Sequence, residues 1–374
     1  MKLHHAAKAL AVIGTSALTV LASAPAHASA GHSRNPVSTI ATGLEGPFGL
    51  DILSSKRALV AESGTAPNTG QVTSVDLRTG ARRTLISGLT SPAGVASDGH
   101  RIYVVLGGGG GPGEGPPPPP SKYPASSLLV ADKNGKHVRV LANLEKYELK
   151  HNPDRQVQFD PVTGAPYDAL SNPFSMVWSK WGLLIADGGA NDVLRVNPRT
   201  GRVSTFFVPP NPRTPACLAE GAQANPGTVG CDSVPTGVAV HGKHVYVSTL
   251  GAESPGAAVV YKLDGRSGRV LQKWRGFTSL TGVAVSPRGT IYASEVLFGA
   301  PAGEGPPPPG FDPSSVGRLT RISHGGVTHA AVTMPTGIEF ANGKLYATSW
   351  SIAGLFLGIP KAGRLVSVSD RAFH

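Results

Sequence analysis

The chain has 374 residues, of which 15% are charged, and its formal net charge is +11. The basic residues are scattered, with no run and no interleaving of aromatic residues, so the charge does not indicate nucleic-acid binding. A weak attraction to anionic cell-wall polymers is compatible with it.

Residues 1–30 have the pattern of a signal peptide. Lys2 and Lys8 form a basic start, residues 9–22 are an apolar run too short to span a bilayer, and Ala28-Ser29-Ala30 is a small-residue cleavage signal. No later stretch reaches the roughly 18 consecutive apolar residues of a transmembrane helix. We therefore expect residues 31–374 to be exported, and to be soluble or loosely associated with the cell wall.

Six related sequence units follow the signal peptide. Each has a Pro-x-Gly-like start, a short apolar strand, a turn, and a second strand rich in β-branched or aromatic residues. The units start at Pro47, Pro92, Pro173, Pro235, Leu280 and Pro335. A third strand and usually a fourth follow, often joined by Thr-Gly or Ser-Gly turns. This pattern predicts an all-β fold, a six-bladed β-propeller in one domain over residues 31–374. A long β-helix is the alternative, but its units are shorter.

The two ends of the chain predict how the ring closes. The sixth unit supplies only three strands, the last at residues 363–370. The segment PVSTIATGL at residues 36–44 resembles ARRTLISGL, the fourth strand of the first unit. We therefore predict that the N-terminal strand completes the last blade, which removes an open sheet edge.

The longest insertions are predicted to emerge on one face of the propeller, called here the loop face. They include two proline-rich segments, residues 111–124 and 300–313, and the connections at residues 148–172 and 209–234. The last connection carries the two cysteines, Cys217 and Cys231. In an exported chain these predict a disulfide, and reduced structural cysteines are the alternative.

The ends of the six second strands give a ring of equivalent positions near the loop face. Three of the six are acidic: Glu62, Asp187 and Glu295. Converging carboxylates at the pore could bind a divalent cation such as calcium, or act as acid and base. Alternatively, they are solvated or cap turns at the strand ends.

A second ring follows the unit starts and includes Phe48 and Phe174. Gluconolactonase-type calcium propellers usually have acidic or amide ligands among these positions, and the segment GLEGPFG around Glu45 is similar to their start. The later positions, Thr236, Thr281 and Thr336, are threonines, so that metal site is not reproduced. We take Glu62, Asp187, Glu295, Phe48 and Phe174 as candidate ligand-binding residues.

Two apolar segments, at residues 296–301 and 350–360, are predicted to lie on the loop face of neighbouring blades. Exposed together, they would form a patch suited to an apolar ligand or partner. The alternative is that they pack beneath the proline-rich segment of the fifth blade.

The segments LANLEKYELKHNPD at residues 141–154 and SNPFSMVWSKWGLLIADGGANDVLRVNPRTGRVST at residues 171–205 resemble the ScyD/ScyE family of secreted propellers. The order of the units and the segment DSVPTGVAV also match. The resemblance implies a six-bladed fold and export, and it carries no established activity or catalytic set. Departures are the two proline-rich segments and Phe174-Ser175, where the family more often has Tyr-Gly.

The sequence thus predicts an exported binding or scaffold protein, which contacts a small-molecule or protein ligand on its loop face and is a monomer. The alternative is a secreted enzyme acting on an apolar or aromatic metabolite or a lactone, with a divalent cation as a possible cofactor. The sequence does not decide whether the protein is catalytic.

Overall fold

The structure is a computed structural model, and it describes residues 35–108, 120–219, 225–301 and 308–374. The predicted signal peptide and the central parts of both proline-rich segments lie outside the described residues. Within them, 24 strands form six antiparallel four-stranded sheets, which are the six blades of a β-propeller. The predicted fold class is confirmed.

Each of the first three blades takes four consecutive strands, from the inner strand at the axis to the outer strand. Their bounds are β2 (Pro47–Ser54), β3 (Arg57–Glu62), β4 (Gly70–Asp76) and β5 (Arg82–Leu89) in blade one; β6 (Pro92–Ser97), β7 (Arg101–Leu106), β8 (Ser127–Asp132) and β9 (Arg139–Asn143) in blade two; and β10 (Pro173–Ser179), β11 (Gly182–Asp187), β12 (Asp192–Val196) and β13 (Val203–Phe207) in blade three.

The other three blades follow the same plan, except that the last takes its outer strand from the start of the chain. Their bounds are β14 (Pro235–His241), β15 (His244–Thr249), β16 (Ala258–Asp264) and β17 (Val270–Phe277) in blade four; β18 (Leu280–Val285), β19 (Ile291–Glu295), β20 (Arg318–Ser323) and β21 (Gly326–Ala330) in blade five; and β22 (Ile338–Ala341), β23 (Lys344–Ser349), β24 (Gly363–Val368) and β1 (Val37–Leu44) in blade six.

The closure of the ring is as predicted. Strand β1 pairs antiparallel with β24, with Val37 opposite Val368 and Leu44 opposite Gly363. The backbone N–H of Ser369 also donates to the carbonyl of Pro36 at 2.9 Å. The first and last strands therefore share one sheet, and no outer strand is missing from the sixth blade.

Three short helices lie in the connections: α1 (Leu144–His151), α2 (Pro215–Leu218) and α3 (Ala353–Leu357). There are also two 3₁₀ turns, at Pro313–Ser315 and Asp370–Ala372. Helix α1 begins where the Asn143 side chain accepts from the N–H of Lys146 at 2.8 Å, an N-cap that the sequence reading did not identify.

Apolar side chains fill the space between each pair of neighbouring blades. The cluster between blades one and two, for example, contains Leu59 and Val72 from the first and Val95, Ile102 and Leu129 from the second, all buried. Equivalent clusters lie at the five other junctions. The core is therefore a ring of six interfaces.

Glycines let the inner strands approach one another at the axis. A Cβ on Gly49 would lie 2.5 Å from the carbonyl oxygen of Ala93, and one on Gly282 would lie 2.5 Å from that of Thr336. Gly94, Gly237 and Gly337 meet the neighbouring blade in the same way. The Pro-x-Gly repeat thus reflects backbone-to-backbone packing, and the central channel that these glycines line has a volume of about 50 Å³.

Candidate functional site

The six positions aligned from the sequence are the last residues of the six second strands. They are Glu62, Leu106, Asp187, Thr249, Glu295 and Ser349. All six are buried. The three carboxylates among them are thus enclosed by protein, and their hydrogen-bond partners determine what each can do.

Glu62 holds the backbone segment that leads into the inner strand of blade one. Its Oε2 accepts from the backbone N–H of Glu45 at 2.6 Å, and its Oε1 accepts from Gln71 Nε2 at 2.9 Å and from the hydroxyl of Thr73. Glu45 in turn accepts, through its own Oε2, the N–H of Lys361 at 2.8 Å. The carboxylate of Glu62 is therefore linked, through Glu45, to the connection that follows α3 in blade six.

Glu295 is held by an ion pair. Arg318 Nε donates to Glu295 Oε1 at 2.8 Å, and the Thr320 hydroxyl donates to the same oxygen. The N–H of Thr278 donates to Oε2 at 3.2 Å. The guanidinium of Arg318 lies over the ring of Phe298, 3.4 Å from its centroid. Glu295 thereby orients an arginine that stacks on an aromatic side chain of the loop face.

Asp187, by contrast, forms no ion pair within the described part of the chain. Ser171 Oγ donates to its Oδ2 at 2.6 Å, and the backbone N–H groups of Asn172 and Ala190 donate to its Oδ1 at 2.6 and 3.2 Å. Burial raises the pKa of Asp187 to about 6, and these hydrogen bonds oppose the rise. In all three blades the carboxylate thus accepts the N–H of a residue that shortly precedes the inner strand.

Among the described residues, no group of three or more histidine, cysteine, aspartate or glutamate side chains is arranged to hold a metal ion. Glu62, Asp187 and Glu295 each bond within their own blade region. Ligand binding by these three residues remains a prediction.

The second predicted ring divides into two parts. The hydroxyls of Thr236, Thr281 and Thr336 donate to the carbonyls of Leu280, Pro335 and Pro47, at 2.6, 2.9 and 2.9 Å. Each of these threonines thus joins its blade to the next one. On the other side of the ring, Phe48 of blade one and Phe174 of blade three meet edge to face, with ring centroids 5.4 Å apart.

The two phenylalanines belong to a buried cluster on the loop face, called here the mouth cluster. Its buried members are Phe48, Phe174, Val296, Val316, Met334, Ile352 and Ala353. Leu297, Trp350 and Leu355 are among the partly buried side chains packed against it. The two apolar segments predicted from the sequence therefore pack together.

Three large apolar side chains from the same two segments stay exposed. Phe298, Phe356 and Ile359 are 41%, 41% and 40% exposed, and we call them the apolar patch. The inner side chains of these segments are buried, while these three face solvent. The alternative of packing beneath the proline-rich segment of blade five involves residues 302–307, which lie outside the described residues.

Blade three and its connections also hold six carboxyl groups, called here the carboxylate cluster. Glu148, Asp187, Asp192 and Asp232 are buried, and Asp154 and Asp168 are half-buried. None of them takes part in an ion pair among the described residues. Burial raises the pKa of Glu148 to about 8 and that of Asp168 to about 7, and neighbouring carboxylates add to both shifts. Of the six, only Asp187 was identified from the sequence. Asp192 begins strand β12, and the other four lie in connections that do not repeat from blade to blade.

A further pair of carboxyls lies on the inner strands of blades one and six. Glu339 Oε2 accepts from the N–H of Ile52 at 2.6 Å. Burial raises the pKa of Asp51 to about 7 and that of Glu339 to about 8, and the charge of Asp51 contributes to the second shift. The sequence reading missed this pair because the two residues belong to opposite ends of the chain.

A groove of about 500 Å³ lies at the opposite end of blade three. Trp178 and Trp181 line it together with Lys180, Arg195 and Arg199. The Nζ of Lys180 lies 4.8 Å from the centroid of the Trp181 ring, and Arg195 stacks on Phe206. The groove is basic and aromatic, and the sequence offered no sign of it, because these residues lie on separate strands and turns.

The predicted disulfide between Cys217 and Cys231 is present. It packs against Ala257 of blade four. A disulfide is compatible with an oxidising, extracellular location. No helix in the described part of the chain is long and apolar enough to cross a membrane.

Several solved structures share the fold. A gluconolactonase from Xanthomonas campestris matches with 10% identity and a TM-score of 0.52, over 89% of this chain and 88% of its own. A putative oxidoreductase (glucose dehydrogenase) from Thermus thermophilus has 17% identity and a TM-score of 0.52, over 89% and 99%. A protein of unknown function from Bacteroides thetaiotaomicron has 13% identity and the same TM-score, over 89% and 76%.

At these identities the likeness shows the six-bladed fold alone. No family profile matches the chain, and no curated protein matches it either. Membership of the ScyD/ScyE family remains a prediction.

Proposed function

We propose that this is an exported binding protein whose loop face takes a small apolar or aromatic ligand at the apolar patch. The observation that carries the proposal is the exposure of Phe298, Phe356 and Ile359 on two segments that pack together in one buried cluster. A ligand covering such side chains gains about 25 cal/mol for each Å² of apolar surface removed from water.

Two of the predicted ligand-binding carboxylates support the patch from beneath. Glu295 holds Arg318, which stacks on Phe298. Glu62 holds the backbone of Glu45, whose side chain holds Lys361, two residues beyond Ile359. In this proposal both are positioning residues, which reduce the ordering cost of binding by keeping the patch fixed before the ligand arrives.

Phe48 and Phe174 have a related role in the proposal. They form part of the mouth cluster on which both apolar segments rest, and their edge-to-face contact gives that base a defined shape. They are expected to affect ligand affinity through the position of α3 more than through direct contact, because both rings are buried.

Aromatic probes test the proposal, with 1-anilinonaphthalene-8-sulfonate as the first and a panel of uncharged aromatic compounds as the second. Binding is followed by the probe's fluorescence and by the emission of Trp350, identified with a Trp350→Phe variant. The double variant Phe356→Ser/Ile359→Ser should weaken binding by about 10-fold or more, because each lost contact contributes roughly 1 kcal/mol.

The matched control is Val162→Ser, which removes an apolar side chain that is 90% exposed and lies in a turn of the connection after α1. Equal probe affinity in the double variant and the control would contradict the proposal. A mass that rises with protein concentration, and falls in the double variant, would show that a second copy covers the patch. Chemical conversion of a bound compound would favour the alternative, a secreted enzyme.

A further inference from the structure

The carboxylate cluster contains buried side-chain oxygens that have no hydrogen-bond partner among the described residues. Asp192 is fully buried, and neither of its carboxylate oxygens has a hydrogen-bond partner. Glu148 is buried, and its Oε2 also lacks a partner, while its Oε1 accepts from Gln158 Nε2 at 2.7 Å. Leaving a buried charged oxygen without a partner is among the most costly arrangements in a protein interior.

Two side-chain amides in the connection after α1 also have a buried oxygen without a hydrogen-bond partner. The Gln156 amide nitrogen donates to Asp232 Oδ1 at 2.7 Å, and the Asn152 amide nitrogen donates to the carbonyl of Gln156 at 2.9 Å. These donations fix the orientation of both amides, and each leaves its carbonyl oxygen buried and unpartnered. A cation would satisfy these oxygens, because each of them can direct a lone pair at it.

The charges of the cluster reinforce one another. The carboxylates of Asp187, Glu148 and Asp154 lie close enough to Asp192 to raise its pKa further, beyond the large effect of burial. Asp187 and Asp192 face each other across β11 and β12. Arg155, which follows Asp154 in the sequence, is exposed, and Arg195 donates to the backbone carbonyls of Gly265 and Arg266. Neither arginine forms an ion pair among the described residues. The negative potential is therefore not balanced within the described residues.

We infer that Asp192 and Glu148 bind a divalent cation, with Ca²⁺ as the fitting ion, at the junction of helix α1 with strand β12. Calcium takes six to eight oxygen ligands, and it accepts carboxylates, amide carbonyls and water in irregular arrangements. Zinc is less suited, because the cluster contains no cysteine or histidine. The cation site is in blade three, whereas the apolar patch is in blades five and six. The inference therefore does not depend on ligand binding at the patch.

The proposed ligands include only two carboxylates. This is consistent with the finding that no three acidic, histidine or cysteine side chains among the described residues are arranged around one ion. Among the described residues of the cluster, only Asp192 and Glu148 have fully buried carboxylate oxygens without a hydrogen-bond partner. Asp187, Asp154 and Asp232 accept N–H or O–H donors. The remaining ligands are the amide oxygens of Gln156 and Asn152, and water. Asp154 and Asp187 add negative potential around the ion without giving up their own partners.

The test uses the full-length chain, freed of metal with EDTA and dialysed, and then titrated with CaCl₂. We expect one bound ion per chain by isothermal titration calorimetry. We also expect the melting temperature to rise by about 3 °C or more when calcium exceeds its Kd about 100-fold. MgCl₂ at the same concentration should give a smaller shift, because Mg²⁺ demands a more regular octahedron.

Asp192→Asn and Glu148→Gln give the decisive result, because two opposite effects are expected in the same protein. Each should lower calcium affinity by about 10-fold or more. Each should also raise the melting temperature of the metal-free chain at pH 8, where the cost of ionising or protonating the buried carboxyl is largest, because the amide replaces a carboxyl whose pKa burial has raised. The matched control is Glu145→Gln, at a half-buried position of the same helix three residues before Glu148, which should change neither quantity.

Wild-type protein that contains no metal by elemental analysis and shows no calcium-dependent shift would overturn the site. An Asp192→Asn variant that keeps the full shift would also overturn it. If that variant does not fold, Glu148→Gln decides alone, because a glutamine there keeps the oxygen that accepts from Gln158.

Discussion

Phe48 and Phe174 touch although their blades are not neighbours. Phe48 is the second residue of the inner strand of blade one and Phe174 that of blade three, and their ring centroids lie 5.4 Å apart. The equivalent position in blade two is the small residue Ala93, which leaves room for the two rings to meet. The other three blades use threonine hydroxyls at this position to bond to the next blade. An apolar contact thus takes the place of hydrogen bonds on this side of the ring.

The first prediction concerns the energy of this contact. Phe48→Ala and Phe174→Ala should each lower the free energy of unfolding by about 3 kcal/mol, because each removes a buried aromatic side chain. The double variant should lose about 1 kcal/mol less than the sum, which is the usual coupling of an edge-to-face pair. Urea unfolding of the four proteins measures the coupling. Strict additivity would show that the rings contribute only their separate burial.

The second prediction concerns the closure of the ring. Deleting residues 35–44 removes β1 and exposes the edge of β24, and it should lower the melting temperature by about 10 °C or more. The reference protein begins at residue 31, the expected mature N-terminus. An unchanged melting curve after the deletion would show that the sixth blade is stable with three strands.

The third prediction concerns pH. The pKa values of Asp51 and Glu339 are raised in the folded chain, to about 7 and about 8. At a pH above the ordinary carboxyl pKa of about 4, these two groups keep their protons in the folded chain but lose them in the unfolded chain. The free energy of unfolding therefore falls as pH rises from about 4 to about 8. Glu339→Gln removes one of the two charges, and it should raise the melting temperature at pH 8 by about 3 °C and leave that at pH 4 nearly unchanged.

The control for the pH prediction is Asp132→Asn, at an exposed turn whose carboxylate accepts N–H groups and whose pKa is lowered. This change should give no gain at pH 8. If Glu339→Gln and wild type lose stability equally between pH 4 and pH 8, the pair does not control the pH dependence.

The fourth prediction concerns the backbone at Val234, which precedes the inner strand of blade four. Its φ is +49°, a value that costs a β-branched residue about 1–2 kcal/mol. Asn191 Oδ1 accepts the N–H of Val234 at 3.0 Å, and the Val234 carbonyl accepts from Leu250, so the conformation is held in place. Val234→Gly should therefore raise the free energy of unfolding by about 1 kcal/mol.

Chemical denaturation of Val234→Gly and Val234→Ala separates the backbone effect from the side chain. Alanine loses the same side-chain contacts as glycine but keeps a Cβ, so it should be less stable than glycine at this position. Equal or greater stability of the alanine variant would show that the left-handed conformation carries no cost here.

The six blades and their closure could be predicted because they repeat. Five of the six units have a glycine for backbone packing at the axis, and blade three has Ser175 there. The strands of each unit alternate with turns, so the same residue types recur at Gly49, Gly94, Gly237, Gly282 and Gly337. The strand ends aligned for the same reason, and Glu62, Asp187 and Glu295 were found at equivalent places. Periodicity does not determine hydrogen-bond partners, so the links of Glu62 to Glu45 and of Glu295 to Arg318 appear only in the structure.

The carboxylate cluster and the Asp51–Glu339 pair could not be predicted in the same way. Glu148 and Asp154 lie in a connection found in one blade only, and Asp51 and Glu339 become neighbours only when the ring closes. Their unusual protonation depends on burial by segments distant in the chain. A single sequence contains no periodic signal for such contacts.

The pairing of β1 with β24 also determines when the sixth blade can form during synthesis. Ser369 and Pro36, joined at this edge, are 333 positions apart in the chain. The outer strand of the sixth blade, β1, is synthesised before all the other strands, and its sheet partners β22, β23 and β24 are synthesised after them. That strand must therefore remain without its partner until β24 has been synthesised, and a chain that ends before β24 cannot form the closing sheet.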